Sequence, residues 1–311
     1  MKDGSSYHEP VMVAEVVAYL QPERGGVYFD GTLGGGGHAE AILSAGSAAE
    51  VIGVDQDVEA LEVAGRRLER FGERVTLVES NFADAAERRD PGAGQLSGAL
   101  LDLGVSSHQI DDPTRGFSFR QGTPLDMRMS GAARAATAAD LLNEMDEADL
   151  ANVFYRYGEE RGSRRLAAAV VRRRRERPFR TSDDFNEILE RFYGPRITVQ
   201  DRARIYQALR IAVNDELTVL ERALEALRER LGPEGVFVVL SYHSLEDRLV
   251  KDAFREWSRE CVCPPALPVC RCRGRSLGRL LTRKPVMAGA AEVAVNPRSR
   301  SARLRAWRKA A

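Results

Sequence analysis

The amino-acid sequence predicts an α/β fold, a Rossmann-like doubly wound sheet with an all-helical insertion. From Val27 to Leu103, short apolar segments alternate with segments of helical pattern. A long stretch without a strand pattern follows, and an apolar strand pattern then returns at Val236. Strands that alternate with helices form parallel sheets, and such sheets bind their ligands at the carboxyl ends of the strands.

Five apolar segments have the length and composition of buried strands. The first ends in the acid Asp30 and runs into the glycine-rich turn GTLGGGGH, after which a helical pattern begins. A strand, a glycine turn and a helix in this order are typical of the nucleotide-binding units of α/β proteins. The five predicted strands are Val27–Asp30, Val51–Asp55, Val75–Val78, Gly98–Leu103 and Val236–Leu240.

The segment between the fourth and fifth strands shows only helical patterns. Thr137 and Asp140 have the spacing of a capping box, which opens a helix that carries Leu141 and Leu142. Further apolar stripes of helical spacing follow. We therefore predict a sheet domain that is interrupted by a helical domain, with residues 1–110 and 214–311 in the first and residues 111–213 in the second.

Charge is distributed unevenly along a chain whose net charge is zero. Residues 1–150 contain 12 Arg and Lys against 26 Asp and Glu, a net charge of −14. Residues 161–180 contain nine Arg against one Glu (+8), and residues 271–311 contain 12 Arg and Lys against one Glu (+11). Arginine binds phosphate in bidentate fashion, so these segments indicate a nucleic-acid partner, although a solvated helix face is the alternative. The candidate RNA-binding residues are Arg172, Arg173, Arg174, Arg175, Arg298, Arg300 and Arg303.

The sequence does not have the features of a membrane or secreted protein. No apolar run approaches the roughly 20 residues that a spanning helix needs. The N-terminal segment MKDGSSYHEP lacks the basic and apolar regions of a signal peptide. We therefore expect a soluble cytoplasmic protein without a membrane partner.

The glycine turn predicts a nucleotide cofactor, whose type depends on the neighbouring acid. Gly34-x-Gly36-x-x-Ala39, with Asp55 in the second strand, fits a dinucleotide fingerprint and would suit a nicotinamide or flavin enzyme. Asp30, however, would repel a pyrophosphate at this turn and would attract a cationic sulfonium cofactor. We therefore favour S-adenosylmethionine. Asp55 is placed to accept the ribose hydroxyls of either cofactor.

Two other residues near the turn each allow two interpretations. His38 either contacts the cofactor or packs at the start of the helix. Phe82, which follows the third strand, either flanks the adenine or belongs to the apolar core.

Asp102 ends the fourth strand and is the predicted catalytic carboxylate. The exocyclic amine of cytosine or adenine is a poor nucleophile because its lone pair is delocalised into the ring. A carboxylate that accepts its N–H favours the transition state, and in-line positioning of amine and methyl group does the rest. A helix cap or loop brace is the alternative role. Methylation at a ring carbon would need a cysteine nucleophile, and all four cysteines lie far from Asp102 in the sequence.

Ser241 and His243 follow the fifth strand, and both are predicted to face the same crevice as Asp102. His243 would act as a base or a nucleotide contact, or it would be a neutral structural histidine. Ser241 is the third predicted catalytic residue.

The four cysteines form the pattern C-x-C-x6-C-x-C, which suggests a zinc site in a cytoplasmic protein. The C-x-C spacing is tighter than the usual spacing of zinc ligands, so unligated thiols in a substrate loop are the alternative. The candidate ligands are Cys261, Cys263, Cys270 and Cys272.

Several long motifs resemble the bacterial 16S ribosomal RNA cytosine-N4-methyltransferases, the methyltransferase H family of the small subunit. The resemblance covers nearly the whole chain. It rests on HEPVM (8–12), DGTLGGGGHA (30–39), LLDLGVSSHQIDDPTRGFSF (100–119), PLDMRM (124–129), YGEER (157–161), SYHSLEDR (241–248) and NPRSRSARLR (296–305).

This resemblance implies a class I S-adenosylmethionine-dependent methyltransferase fold whose helical insertion helps to bind the substrate. It implies methylation of a cytosine N4 in the decoding region of 16S ribosomal RNA, on the assembled small subunit. The chain departs from familiar amino-methyltransferases by carrying DLGV in place of D-P-P-Y after the fourth strand, and His108 stands where a small residue is expected. The cofactor-binding positions that the resemblance implies are Gly36, Gly37, His38, Asp55, Phe82, Asp102 and Gln109.

Two other classes of function compete with this one. A nicotinamide-dependent oxidoreductase is favoured by the glycine pattern and opposed by Asp30. A non-catalytic RNA-binding assembly factor, with a residual cofactor pocket, is compatible with the arginine-rich segments.

Overall fold

A computed structural model describes residues 10–88, 95–106, 110, 112–130, 136–264, 269 and 271–311 of the protein. The chain forms two compact units, Met1–Gly104 with Leu217–Ala311, and Val105–Glu216. We call the first the sheet unit and the second the helical unit.

The described residues form eight strands, all in the sheet unit. They are β1 (Gly26–Asp30), β2 (Ala49–Asp55), β3 (Val75–Glu79), β4 (Leu96–Asp102), β5 (Leu231–Ser241), β6 (Gly278–Leu280), β7 (Val286–Met287) and β8 (Arg303–Lys309). Their order in one sheet is β3-β2-β1-β4-β5-β8-β6, and β7 also pairs with β8. Strands β1 to β5 are parallel and correspond to the five predicted strands, so the predicted fold class is confirmed.

Twelve α-helices lie among the described residues. They are α1 (Val13–Leu20), α2 (Gly37–Ala45), α3 (Val58–Leu68), α4 (Phe82–Glu87), α5 (Ala138–Glu144), α6 (Glu147–Arg156), α7 (Ser163–Glu176), α8 (Ser182–Tyr193), α9 (Val199–Asn214), α10 (Glu216–Arg230), α11 (Ser244–Trp257) and α12 (Ala290–Val295). No helix of the described residues combines the length and the apolar composition that crossing a membrane requires.

Successive residues of a strand point to opposite faces of the sheet, and helices pack on both of these faces. Tyr28 packs in an apolar cluster with residues of α1, α2 and α3. Its neighbour Phe29 packs in a second cluster with residues of α4, α10 and α11. The strands are thus buried on both faces, which explains their nearly continuous apolar composition.

Strands β6, β7 and β8 were not predicted from the sequence. β8 has the composition RLRAWRK, in which charged residues hide the apolar ones. Leu304 and Trp307 are fully buried, and the Arg305 guanidinium pairs with Asp247 at 2.6 and 3.1 Å. A strand of this composition fits a sheet only because an acid from another element neutralises its inward-facing arginine.

Both tryptophans of the chain belong to one aromatic cluster in the sheet unit. The ring centroids of Trp257 and Trp307 lie 5.2 Å apart, and Phe254 lies 5.4 Å from Trp257. The indole N–H of Trp307 donates to Ser258 Oγ at 3.1 Å. This cluster joins the end of α11 to β8.

The helical unit packs α5 to α9 around an apolar core that includes Phe154, Phe185 and Leu209. The described residues contain no strand here beyond an isolated bridge between Pro124 and Thr181. The predicted capping box of Thr137 is present. α9 ends at Asn214 because the next residue, Asp215, adopts a left-handed conformation with φ of 48°.

Asp184 is the main polar anchor of the helical unit. Its Oδ1 accepts hydrogen bonds from Arg173 at 3.0 Å and Arg177 at 2.6 Å, and its Oδ2 accepts the backbone N–H groups of Arg180 and Thr181. Burial alone would raise the pKa of Asp184, but these donors outweigh it and hold the pKa below its usual value. The carboxylate therefore ties α7 to the start of α8.

We predict that Asp184→Ala lowers the free energy of unfolding by about 3–5 kcal/mol, because it leaves the buried Arg173 guanidinium without its acid. Glu190→Ala in the same helix is the matched control. It removes an exposed pair with Arg202 and should cost less than about 1 kcal/mol. Urea unfolding followed by circular dichroism measures both. Equal losses would contradict the role of Asp184.

Candidate active site

Three acidic residues end neighbouring parallel strands at the same edge of the sheet. β1 lies between β2 and β4, so that Asp30 pairs in register with Gly53 on one side and Leu100 on the other. Asp55 ends β2 and Asp102 ends β4. The sheet therefore concentrates negative charge where ligands of this fold class bind.

The glycine turn after β1 uses its glycines for different purposes. Gly34 has a φ of 50°, and a Cβ there would meet no atom within 4 Å. Gly36, with a φ of 79°, lets the turn pack on Ala64 of α3, and a Cβ on Gly37 would come within 2.8 Å of Pro10. Of these predicted cofactor residues, Gly34 faces open space, whereas packing within the protein accounts for Gly36 and Gly37.

Asp30 is 1% exposed, and only one of its two oxygens has a hydrogen-bond partner among the described residues. Oδ1 accepts the backbone N–H of Thr32 at 3.2 Å, and Oδ2 has none. Burial raises the pKa of Asp30 to about 6, although nearby His38 opposes this shift. An isolated buried carboxylate of this kind is suited to a cationic ligand.

His38 lies in the first turn of α2 and is 6% exposed. Its Nε2 lies 3.4 Å from Asp102 Oδ2, but neither ring nitrogen makes a hydrogen bond within the described part of the chain. Burial alone would lower the pKa of His38, but the carboxylates of Asp102 and Asp30 outweigh it and the pKa is raised. The ring is thus available for a ligand.

Asp102 is held from two sides. Its backbone N–H donates to the hydroxyl of Thr32 in the glycine turn at 2.6 Å. The hydroxyl of Tyr242 donates to its Oδ1 at 2.7 Å. Burial, together with Asp102, raises the pKa of Tyr242 well above its usual value, so the phenol remains a donor. Tyr242 therefore fixes the carboxylate and leaves Oδ2 directed at His38.

Ser241 and His243 have hydrogen-bond partners other than Asp102 among the described residues. Ser241 is buried, and its Oγ donates to the backbone oxygen of Arg303 in β8 at 3.4 Å, so its catalytic role stays a prediction. His243 caps α11, because its Nδ1 accepts the N–H of Glu246 and its Nε2 lies 3.0 Å from Glu246 Oε1. Of the two interpretations of His243, the geometry favours the structural one.

Tyr242 was missed by the sequence analysis. Glu246 fixes its backbone, because Glu246 Oε2 accepts the N–H of Tyr242 at 2.9 Å and that of His243 at 3.2 Å. The signal in the sequence is its position two residues after a predicted strand, between Ser241 and His243.

Asp55 and Phe82 lie at the other side of the turn. Asp55 Oδ2 accepts the N–H of Gly34 at 2.8 Å and Oδ1 accepts that of Asp57 at 2.9 Å. Burial raises the pKa of Asp55 despite these donors. Phe82 is half-buried at the start of α4, which Asn81 caps. Gln109, the remaining predicted cofactor residue, lies outside the described residues.

The predicted RNA-binding arginines of α7 do not share one environment. Arg172 and Arg175 are exposed. Arg173 is 6% exposed and bonds Asp184, although it is also among the residues that line a groove beside α7. Arg174 donates to the backbone oxygens of Leu142 and Met145 at the end of α5, so its role is also structural.

An open groove of about 280 Å³ lies beside α7 in the helical unit. Arg165, Arg172 and Arg191 line it together with Phe192, and Glu176 supplies one acid. The Arg165 guanidinium carbon lies 5.3 Å from the centroid of the Phe192 ring. Arginines beside an aromatic ring are suited to the phosphates and bases of a single-stranded nucleic acid.

The second arginine-rich segment lies in the sheet unit. Arg300 is exposed, and Arg298 and Arg303 are half-buried. Arg303 Nη1 lies 3.8 Å from Asp247 Oδ2, the acid that also pairs with Arg305.

Of the predicted cysteine ligands, Cys261, Cys263 and Cys272 lie together, and Cys270 is outside the described residues.

The donor set at the strand ends fits S-adenosylmethionine. Asp30 Oδ2 is a buried acceptor without a donor among the described residues, and an ammonium or sulfonium group would satisfy it. A pyrophosphate would meet three carboxylates. The open space at Gly34 leaves room for a ligand to approach the backbone.

Comparisons with known proteins agree with this chemistry. The model of the MraW methylase family matches residues 5–310. A relative from Gemmatimonas aurantiaca named ribosomal RNA small subunit methyltransferase H is 52% identical over 308 residues, which cover 98% of this chain and 96% of the relative. A relative of the same name from Geotalea uraniireducens is 50% identical over 310 residues, which cover 97% and 98%. A solved rRNA methylase from Streptococcus thermophilus has a TM-score of 0.42 at 9% identity, over 96% of this chain and 95% of that chain.

We predict that Asp30→Asn stabilises the cofactor-free protein at pH 8 and weakens cofactor binding. A carboxyl with a raised pKa contributes stability below its ordinary pKa of 3.8, and this contribution is lost as the pH rises through about 6. The amide avoids that loss, a gain of about 1–3 kcal/mol at pH 8 that disappears near pH 4. Urea unfolding at both pH values measures it.

The same substitution should weaken S-adenosylmethionine binding by roughly tenfold to hundredfold in calorimetry, because a charged hydrogen-bond partner is lost. In the unsubstituted protein, affinity should fall as the pH drops below about 6. Glu50→Gln, at an exposed acid of β2, is the control and should change neither property. Unchanged affinity in Asp30→Asn would contradict the assignment.

Proposed function

We infer that this chain, which belongs to the MraW methylase family, transfers a methyl group from S-adenosylmethionine to ribosomal RNA of the small subunit. The acceptor that we propose is the N4 amine of a cytosine in the decoding region of 16S ribosomal RNA, on the assembled subunit. One observation carries the proposal: the buried carboxylate of Asp30 has an oxygen without a donor among the described residues, and the partly buried carboxylate of Asp102 lies 3.4 Å from the ring of His38 at the start of the next helix.

The strand ends of the sheet unit would hold the cofactor. Asp30 Oδ2 accepts from the ammonium group, and Asp55 accepts from the ribose hydroxyls in addition to its two backbone donors. Phe82 would flank the adenine. Because Gly34 has no side chain, the cofactor could approach the backbone of the turn there. Bound S-adenosylmethionine supplies a methyl group on a positively charged sulfur.

Asp102 would position and activate the acceptor amine. Its carboxylate accepts an N–H of the cytosine amine and so supports the pyramidal nitrogen that the transition state requires. Tyr242 keeps the carboxylate oriented through its 2.7 Å hydrogen bond. The amine loses one proton when it gains the methyl group. Asp102 takes this proton. His38 Nε2, which lies 3.4 Å from Asp102 Oδ2, is a second group that could accept the proton.

The helical unit would bind the RNA. Its bounds are similar to those of the predicted substrate-binding domain, residues 111–213. Its groove offers Arg165, Arg172 and Arg191 to phosphates and the ring of Phe192 to a base. Arg175, Arg298, Arg300 and Arg303 are additional RNA contacts in this proposal. The buried Arg173 and the helix-capping Arg174 are not.

Nucleoside analysis tests the proposed reaction. Small ribosomal subunits that lack the modification are incubated with the protein and labelled S-adenosylmethionine, and the RNA is then digested. We expect labelled N4-methylcytidine from one position, with assembled subunits better substrates than free 16S RNA. Asp102→Asn should lower the rate about 10²–10³-fold, the scale for loss of one transition-state hydrogen bond. Glu50→Gln should retain it.

Other results of this assay identify the competing functions. A label on a ring carbon or on ribose would contradict the amine as acceptor. Subunit binding without any transfer would indicate a non-catalytic assembly factor. Nicotinamide recovered with the purified protein would indicate an oxidoreductase.

We predict that the double substitution Arg172→Ala and Arg191→Ala weakens binding to small-subunit RNA and flattens its salt dependence. If each arginine neutralises one phosphate, the slope of log affinity against log salt should fall by about 1.4–1.8. Arg156→Ala, at an exposed arginine outside the groove in the helical unit, is the matched control. A filter-binding titration at several salt concentrations measures the slopes. Equal slopes in all three proteins would return the groove to an ordinary solvated surface.

A further inference from the structure

The segment between α11 and β6 has an unusual construction. Its base is closed by the N–H of Leu277, which donates to the backbone oxygen of Trp257 at 2.8 Å. None of the described residues of this segment, which are 258–264, 269 and 271–277, is buried. The described residues of this segment therefore form no apolar core of their own, and a cross-link would help to hold their conformation.

All four cysteines of the chain lie in this segment, and the three that the structure describes are close together. The sulfur atoms of Cys261, Cys263 and Cys272 all lie within 4.8 Å of one another. The Sγ atoms of Cys261 and Cys272 are 3.8 Å apart. Thiolates at about 2.3 Å from a tetrahedral zinc ion are separated by about 3.8 Å, whereas disulfide sulfurs are bonded at about 2.05 Å. The 3.8 Å distance between Cys261 and Cys272 therefore matches two thiolates that bind the same zinc ion.

Backbone N–H groups point at two of these sulfurs in a reciprocal arrangement. Val262, between Cys261 and Cys263, donates its N–H to Cys272 Sγ at 3.3 Å. Arg271, directly before Cys272, donates its N–H to Cys263 Sγ at 3.4 Å. A backbone N–H beside Cys263 thus contacts Cys272, and a backbone N–H beside Cys272 contacts Cys263. Hydrogen bonds to sulfur orient it, as the surroundings of metal ligands do.

Arginines flank the thiols in the sequence. Arg271 and Arg273 lie on either side of Cys272 and Arg275 follows, while the acid Glu260 directly precedes Cys261. Arg273 donates to the backbone oxygens of Glu256 and Arg259, which brings this cationic stretch back to the end of α11. Three thiolates with one divalent ion carry a charge of about −1, which the arginines offset.

We propose that Cys261, Cys263 and Cys272 bind a structural zinc ion that fixes the segment from Ser258 to Leu277. Zinc suits the site because thiolates are its preferred structural ligands and because it needs no redox partner. The proposal rests on the three described thiols. Cys270, the fourth cysteine of the pattern, lies outside the described residues. The role of the ion is structural, since cross-linking the two C-x-C turns supplies the stability that burial does not.

Metal analysis of the full-length protein tests the proposal directly. Protein purified under reducing conditions should contain about one zinc ion per chain. Cys261→Ser, Cys263→Ser and Cys272→Ser should each lose most of it. Val269→Ser, at an exposed residue of the same segment, is the matched control and should keep it. Protein without zinc, or zinc retained by all three serine variants, would overturn the proposal.

A second experiment remains decisive if the serine variants fold poorly. Zinc is removed from the unsubstituted protein with a chelator and cobalt(II) is added. We expect the visible bands of tetrahedral cobalt together with sulfur-to-cobalt charge transfer. Metal-free protein should be cleaved by a protease within residues 258–277, and zinc should restore its resistance.

Two results of these experiments would overturn the zinc site. Cobalt bands without sulfur charge transfer would mean that the thiols do not bind the metal. An intact mass lower by two hydrogens, with thiols that react only after reduction, would identify a disulfide instead.

Discussion

The parallel pairing of β1 between β2 and β4 determines the site. Because these strands run in the same direction and in a fixed register, Asp30, Asp55 and Asp102 end at one edge of the sheet. Burial of these acids is unfavourable for the protein alone, and it raises the pKa of Asp30 and of Asp55. The apolar clusters on both faces of the sheet hold the acids in place despite this cost.

Short connections join Asp30 and Asp102. Thr32 donates its N–H to Asp30 and accepts the N–H of Asp102 with its hydroxyl, so the glycine turn and the end of β4 are coupled. Tyr242 holds Asp102 from the adjacent strand end, and the capping of α11 by Glu246 holds Tyr242. A change in the helix cap would therefore reach the proposed acceptor carboxylate through two hydrogen bonds, without any direct contact.

The sequence predicted the five parallel strands and the acids that end them, because buried strands have continuous apolar patterns and strand ends have simple geometry. β8 was missed because its buried arginine pairs with Asp247, which is 58 residues away, and no local pattern reports such a pairing. Tyr242 was missed for a similar reason, since its role depends on the distant Asp102.

The four consecutive arginines of α7 do not form one surface, and helix geometry explains why. Successive residues of an α-helix point about 100° apart, so four consecutive arginines cover most of the circumference. Arg173 must then face inward when Arg172 and Arg175 face solvent. Arg191, which lines the groove beside Arg172, comes from α8 and belongs to no charge run, so only the packing of two helices brings it to the groove.

The aromatic cluster at the end of α11 has a spectroscopic consequence. Both tryptophans of the chain, Trp257 and Trp307, are buried in the sheet unit, and the helical unit contains none. Tryptophan emission therefore reports on the sheet unit alone, whereas helices of both units contribute to the circular dichroism signal. Comparing the two signals during denaturation distinguishes a chain that unfolds as one body from a chain whose helical insertion melts by itself.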